Sequence, residues 1–160
     1  MGDEKKSQPS TPANMDILDR LTRMNSRELS MAIKKMNPGQ KKLLAFKGNA
    51  AIRKILSRDP NPDIQLAVVN SPKTIEGEIE RLASFSSTTE IVLKAISANS
   101  RWMKSYRIKH CLAKNPKTST GVANRCLKSL TTHDLKKISQ DPNIKKPTAQ
   151  AAQRMLKSRR

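Results

Sequence analysis

A short motif returns at a nearly fixed interval, and it limits what this chain can fold into. Leu56-Ser57-Arg58-Asp59, Ile96-Ser97-Ala98-Asn99 and Ile138-Ser139-Gln140-Asp141 share one pattern: Leu or Ile, Ser, any residue, then Asp or Asn. They stand 40 and 42 residues apart. Each precedes a related segment: Pro62-x-Ile64-Gln65-Leu66-Ala67, Tyr106-x-Ile108-Lys109-His110-Cys111 and Pro147-x-Ala149-Gln150-Ala151-Ala152. Ser71-Pro72-Lys73-Thr74 comes back 44 residues later as Asn115-Pro116-Lys117-Thr118, so the second unit is longer by about four residues. Trp102–Ser105 is the expected insertion. A period of this size marks stacked repeats, in which one unit cannot bury its apolar face alone and needs its neighbours.

The material between the motifs is helical. Ile17, Leu18, Leu21 and Met24 mark one apolar stripe, and Leu29, Ala32, Ile33 and Met36 mark the next. Leu43, Leu44 and Phe46 follow a break at Asn37-Pro38-Gly39; Ala51, Ile52, Ile55 and Leu56 follow a break at Gly48-Asn49. Ile91, Val92, Ala95 and Ile96 form a later stripe, then Val122, Ala123, Cys126, Leu127 and Leu130, then Ala149, Ala152, Met155 and Leu156. These spacings predict helices with narrow buried faces, and no run alternates long enough for a strand. Asn61-Pro62 reads as an N-cap followed by Pro at the first helical position. Thr74, Thr118 and Thr131 or Thr132 read as further helix starts. Nine to eleven helices are expected, ending just before Asp59, Asn99 and Asp141. Residues 1–13, polar and bearing two Pro, are read as a disordered tail before a helical-repeat domain over 14–158.

Over about residues 38–158 this period and helix pattern resembles the HEAT-like, or leucine-rich-repeat-variant, helical-repeat superfamily. The resemblance implies an all-α fold, a right-handed α-solenoid of antiparallel helix pairs. The third unit departs from the pattern, because Asp134 falls where Ile52 and Val92 sit in the first two. Some HEAT-like proteins are alkylpurine DNA glycosylases, which need a carboxylate and aromatics against the damaged nucleotide. Here the basic half offers only Asp134 and Asp141 as carboxylates, with Trp102 and Tyr106 as the nearby aromatics.

Charge points to the partner. Lys and Arg number 32 against 13 Asp and Glu, a formal net charge of +19. Residues 1–90 hold 15 basic and 11 acidic residues, whereas residues 91–160 hold 17 basic and 2 acidic. No Asp or Glu occurs from Ile91 to His133. Self-repulsion works against compaction, so an excess of this kind serves a polyanion. The expected contact residues are Lys54, Lys94, Arg101, Lys104, Arg107, Lys109, Lys117, Arg125, Lys128 and Lys136. Lys54, Lys94 and Lys136 share one repeat position and are expected to form a row. Phe46 and Phe85 are expected in the core, leaving Trp102 and Tyr106 as the only aromatics among the cations. Base stacking therefore has little material, and phosphate contacts with weak sequence preference are expected.

The expected function is a non-enzymatic binding module for the DNA or RNA backbone. The alternative is a scaffold that accepts an acidic segment of a partner protein. No phosphate-cradling glycine loop, zinc-protease helix or calcium loop is present, and no cofactor is expected. Cys111 and Cys126, 15 residues apart, lack metal-ligand spacing and read as reduced core thiols. His110 next to Cys111 points about 100° away on a helix, which is poor geometry for a nucleophile and its base. Neither a signal peptide nor an apolar membrane span is visible, so a cytoplasmic protein without integral membrane association is expected.

Overall fold

The computed structural model describes residues 12–159. They form eleven α-helices and one 3-10 turn, and no strand occurs among them. The helices are α1 (Pro12–Thr22), α2 (Ser26–Lys34), α3 (Pro38–Lys47), α4 (Ala50–Leu56), α5 (Pro62–Asn70), α6 (Glu76–Ser84), α7 (Glu90–Ala98), α8 (Tyr106–Lys114), α9 (Thr120–Leu127), α10 (Thr132–Gln140) and α11 (Lys146–Ser158). The 3-10 turn, Trp102–Lys104, fills the insertion between α7 and α8. The tail expected over 1–13 lies outside the described residues, except for Pro12 and Ala13 at the start of α1.

The recurring motif is one local structure made three times. Ser57, Ser97 and Ser139 each donate Oγ–H to the carbonyl three residues back, on Lys54, Lys94 and Lys136, at 2.7–2.8 Å. Asp59, Asn99 and Asp141 each accept the N–H two residues ahead, at 2.9–3.0 Å. This Asx turn gives the chain an alternative to helical hydrogen bonding and ends the helix. α7 and α10 stop directly before Asn99 and Asp141, whereas α4 stops at Leu56, two residues earlier than expected.

A second regularity is finer than the motif. In Ser71–Thr74, Phe85–Thr88, Asn99–Trp102, Asn115–Thr118, Leu127–Leu130 and Asp141–Ile144 the fourth N–H donates to the first carbonyl. The fourth side chain is buried each time. These turns recur every 12 to 16 residues. The longer sequence period therefore contains three short helices, where the resemblance implies pairs. Thr74 and Thr118 do not cap helices. Ile75 and Ser119 occupy the N-cap positions, while Thr74 is buried and donates Oγ1–H to the Val68 carbonyl at 2.7 Å. Thr131 does cap its helix, accepting from the Asp134 N–H. In the third unit Thr148, rather than Ala149, takes the buried place of Ile64 and Ile108, one residue out of the sequence alignment.

Packing is local along the chain. Each extensive helix–helix contact joins a helix to its neighbour or to the next but one: α3 to α5, α5 to α7, α6 to α8 and α9 to α11. Two clusters of buried side chains result. One runs from Leu21 to Val68, the other from Val69 to Ala152, and α5 contributes to both. A buried ion pair bridges α4 and α6: Arg53 Nε lies 3.0 Å from Glu78 Oε1, and Arg53 Nη1 donates to the Gly48 carbonyl. Several stripes face differently from expectation. Phe46 is 40% exposed and Ile91 is 62% exposed, because α3 buries Leu44 and Ala45 and α7 buries Val92, Leu93, Ile96 and Ser97. Phe85 is half-buried beneath the Arg58 guanidinium, 5.1 Å from its ring centroid.

Candidate polyanion-binding surface

The ten expected contact residues are distributed over α4, α7 to α10 and the loops between them. Nine are exposed, and Lys109 on α8 is half-buried. The acid-free window supplies its cations from solvent faces. Lys94 lies opposite the buried Val92 and Ile96, and Arg125 and Lys128 flank the buried Cys126 and Leu127.

Two of the ten have structural partners as well. Arg101 stacks its guanidinium 4.3 Å over the Trp102 ring and donates Nη2–H to the Thr74 carbonyl at 2.9 Å. Trp102 is buried and donates Nε1–H to the Val69 carbonyl at 3.2 Å, so the insertion plugs the packed helices. Arg107 stands 3.9 Å from Glu80, a solvent-exposed contact of little energetic weight. With Trp102 buried, stacking on bases falls to Tyr106 alone within this window. Its hydroxyl is already committed to Asp134 and accepts the Thr131 N–H at 3.1 Å.

Lys54, Lys94 and Lys136 occupy the same position in their turns, but the expected row is not formed by adjoining helices. α4 packs on α2, α3 and α5; α7 packs on α5 and α6; α10 packs on α11. A three-helix period places equivalent positions three helices apart, while extensive contact is made at one and two. Sequence reasoning also passed over Lys114 and Lys137. They line a cleft of about 140 Å³ with His110 and Asp134, whose Nε2 and Oδ1 lie 4.0 Å apart. Their spacing, Lys114 four residues after His110 and Lys137 three after Asp134, was the available signal.

Electrostatics in this cleft favour an unprotonated imidazole. Burial pulls the His110 pKa below the ordinary value; Asp134 pushes the other way, and Lys114 and Lys137 reinforce the lowering. The Tyr106 hydroxyl, donating to Asp134, holds that carboxyl below its usual range, with His110, His133 and Lys137 adding to the effect. Burial raises both thiols, Cys126 to about 11. Neither is poised as a nucleophile at neutral pH. Both cysteines are free; Cys126 is fully buried, and Cys111 only half. Among the described residues no cluster of three His, Cys, Asp or Glu could hold a metal, and no helix is long and apolar enough to cross a membrane.

The chain matches no protein-family model, no curated protein and no solved structure.

Proposed function

We propose that this chain is a non-enzymatic cytosolic module that binds the phosphate backbone of nucleic acid through its C-terminal half, with weak sequence preference. The observation that carries the proposal is the state of the cations. Before residue 91 four of the thirteen described cations have a carboxylate partner: Arg23 pairs with Asp19, Lys41 with Asp59, Lys42 with Asp63 and Arg53 with Glu78. After residue 90, Arg107 is the only Lys or Arg among the described residues within ion-pair distance of a carboxylate. Lys94, Lys104, Lys117, Arg125, Lys128 and Lys136 are exposed with no such partner. Exposed, unanswered positive charge is what releases counterions from a polyanion.

The proposed scaffold is a right-handed α-solenoid of HEAT-like character. Extensive contact limited to neighbouring and next-neighbouring helices supports it, as does the thrice-made Ser and Asx turn. Such a stack offers a long surface to a long ligand.

The test is a salt series of fluorescence anisotropy with random duplex DNA, single-stranded RNA and anionic vesicles. Log affinity for duplex should fall linearly with log salt, by about 0.9 for each phosphate neutralised. Changing Lys94, Arg125 and Lys128 together to Glu should flatten the slope and weaken binding for any sequence. Changing Arg20 and Arg23 to Glu should do much less. Absence of binding to duplex and single strand at low salt, or parental binding by the triple variant, overturns the reading.

A further inference from the structure

A groove of about 570 Å³ runs between α2 and α4, and no residue of the acid-free window lines it. Both walls are helix stripes. The α2 side spans Ser26 to Ile33 at i, i+3, i+4 and i+7; the α4 side carries Ala51, Lys54 and Ile55 and continues to Arg58 in the turn after the helix. Ser30 and Ala51 are small and leave the space open, while Leu29, Ile33 and Ile55 give an aliphatic floor. Lys34, Lys54 and Arg58 rim it.

The charge at this rim is uncompensated. Lys34 and Lys54 are exposed, with no carboxylate at ion-pair distance among the described residues. Arg58 is held in place over the Phe85 ring. The one carboxylate in the lining, Asp59, is fully engaged: Oδ2 accepts from Lys41 Nζ at 2.7 Å and Oδ1 accepts the Asn61 N–H at 2.9 Å. The groove thus combines an aliphatic floor with a basic rim.

We propose that the α2/α4 groove docks an acidic amphipathic helix of a partner protein. Leu-type side chains at every third or fourth position enter between the stripes, and Asp or Glu on the flanks meet Lys34, Lys54 and Arg58. The nine residues of α2 extend about 13 Å, which matches two to three turns of a docked helix. A phosphate backbone fits this chemistry poorly, since it would leave the aliphatic floor of Leu29, Ile33 and Ile55 without an apolar partner. The proposal stands on the groove itself and not on the nucleic-acid reading.

The probe is a fluorescein-labelled helical peptide with Leu at every third or fourth position and Glu elsewhere. Its controls are a scramble of the same composition and a version with Lys in place of Glu. The full chain should bind the acidic peptide at least tenfold more tightly than either control. Ser30→Trp, which fills the groove, should reduce peptide affinity at least tenfold and leave duplex DNA affinity unchanged. Amide chemical shifts on the parent, which need no variant, should move on α2 and α4. Several results overturn the proposal: equal binding of the scramble, shifts confined to residues after 90, or peptide binding kept by Ser30→Trp but lost in the Lys94, Arg125 and Lys128 triple variant. Loss of duplex binding in Ser30→Trp assigns the groove to nucleic acid. Self-association of the parent that Ser30→Trp abolishes assigns it to a second copy of the chain. Either result also overturns the proposal.

Discussion

Asn115 shows how much one repeat residue can carry. Its Oδ1 accepts the Lys117 N–H, as in the other Asx turns, but its buried amide also donates to the Ala83 and Phe85 carbonyls at 2.7 and 2.9 Å. Asn115→Ala leaves those two carbonyls without this donor, so urea denaturation should show a loss of about 2–4 kcal/mol. Asn115→Asp should fare no better, because a carboxylate cannot donate and would face two carbonyl oxygens. The pattern of Asp or Asn at these turns was legible in the sequence; the second duty of Asn115, to the C-terminal end of α6, 30 and 32 residues away, was not, because nothing local encodes it. His110 gives a residue-scale test in pH. Its folded pKa is lowered, so the unfolded chain binds the proton more readily. Stability on this account is complete above the ordinary imidazole range and falls as pH drops through it. The loss is full once pH is below the lowered folded value. Asp134 opposes this trend; Lys114 and Lys137 favour it. The melting temperature of the parent should therefore fall more between about pH 7.5 and about pH 5 than that of His110→Gln. Equal falls would show that attraction to Asp134 cancels the cost of burial.

At the scale of elements, the α3–α4 junction rests on space rather than on unusual backbone. Gly48 has φ of −72°, open to any residue, yet an added Cβ would meet the Leu44 carbonyl oxygen at 2.6 Å and Ile52 Cγ2 at 2.8 Å. The Leu44 oxygen also accepts the Gly48 N–H at 2.8 Å, and the Gly48 carbonyl accepts Arg53 Nη1, so neither side yields freely. Gly48→Ala should cost about 2 kcal/mol, read as a lower denaturation midpoint with an unchanged slope. Helix existence was readable throughout, because Asn and Pro caps and Asx stops are local signals. Helix orientation was less so. A helix of seven to ten residues makes only two or three turns, and an apolar stripe of that length fixes its buried face poorly. The stripes of Phe46 and Ile91 therefore predict core positions, although α3 and α7 turn neighbouring residues inward. The period is legible and is compatible with two or three helices per unit; the choice of three is not legible, because the turns inside a unit share a hydrogen bond rather than a sequence. Trp102 takes the place that Thr74, Thr88 and Thr118 hold in other turns, a match no residue type reveals.

Across the whole molecule, salt should act on folding and binding with opposite sign. The last 70 residues carry 17 basic and 2 acidic residues, and their cations are mostly exposed and unpaired. Like charges on one surface oppose compaction, and added ions screen them within a Debye length of about 10 Å at 0.1 M. The melting temperature of the free protein should therefore rise between about 0.02 M and about 0.5 M salt, over the range in which duplex affinity falls. The Lys94, Arg125 and Lys128 to Glu variant separates the two effects, since three reversals take the net charge from +19 to +13. With less self-repulsion it should melt no lower than the parent at low salt and gain less on adding salt. A variant that binds weakly because it has lost a phosphate-contact surface is then at least as stable as the parent. One that binds weakly because it has unfolded melts lower and loses helicity. A parent whose melting temperature falls with salt would mean that favourable pairs such as Lys41–Asp59 and Arg53–Glu78 outweigh repulsion in the basic half. The positive surface would then impose no folding cost that a polyanionic ligand relieves.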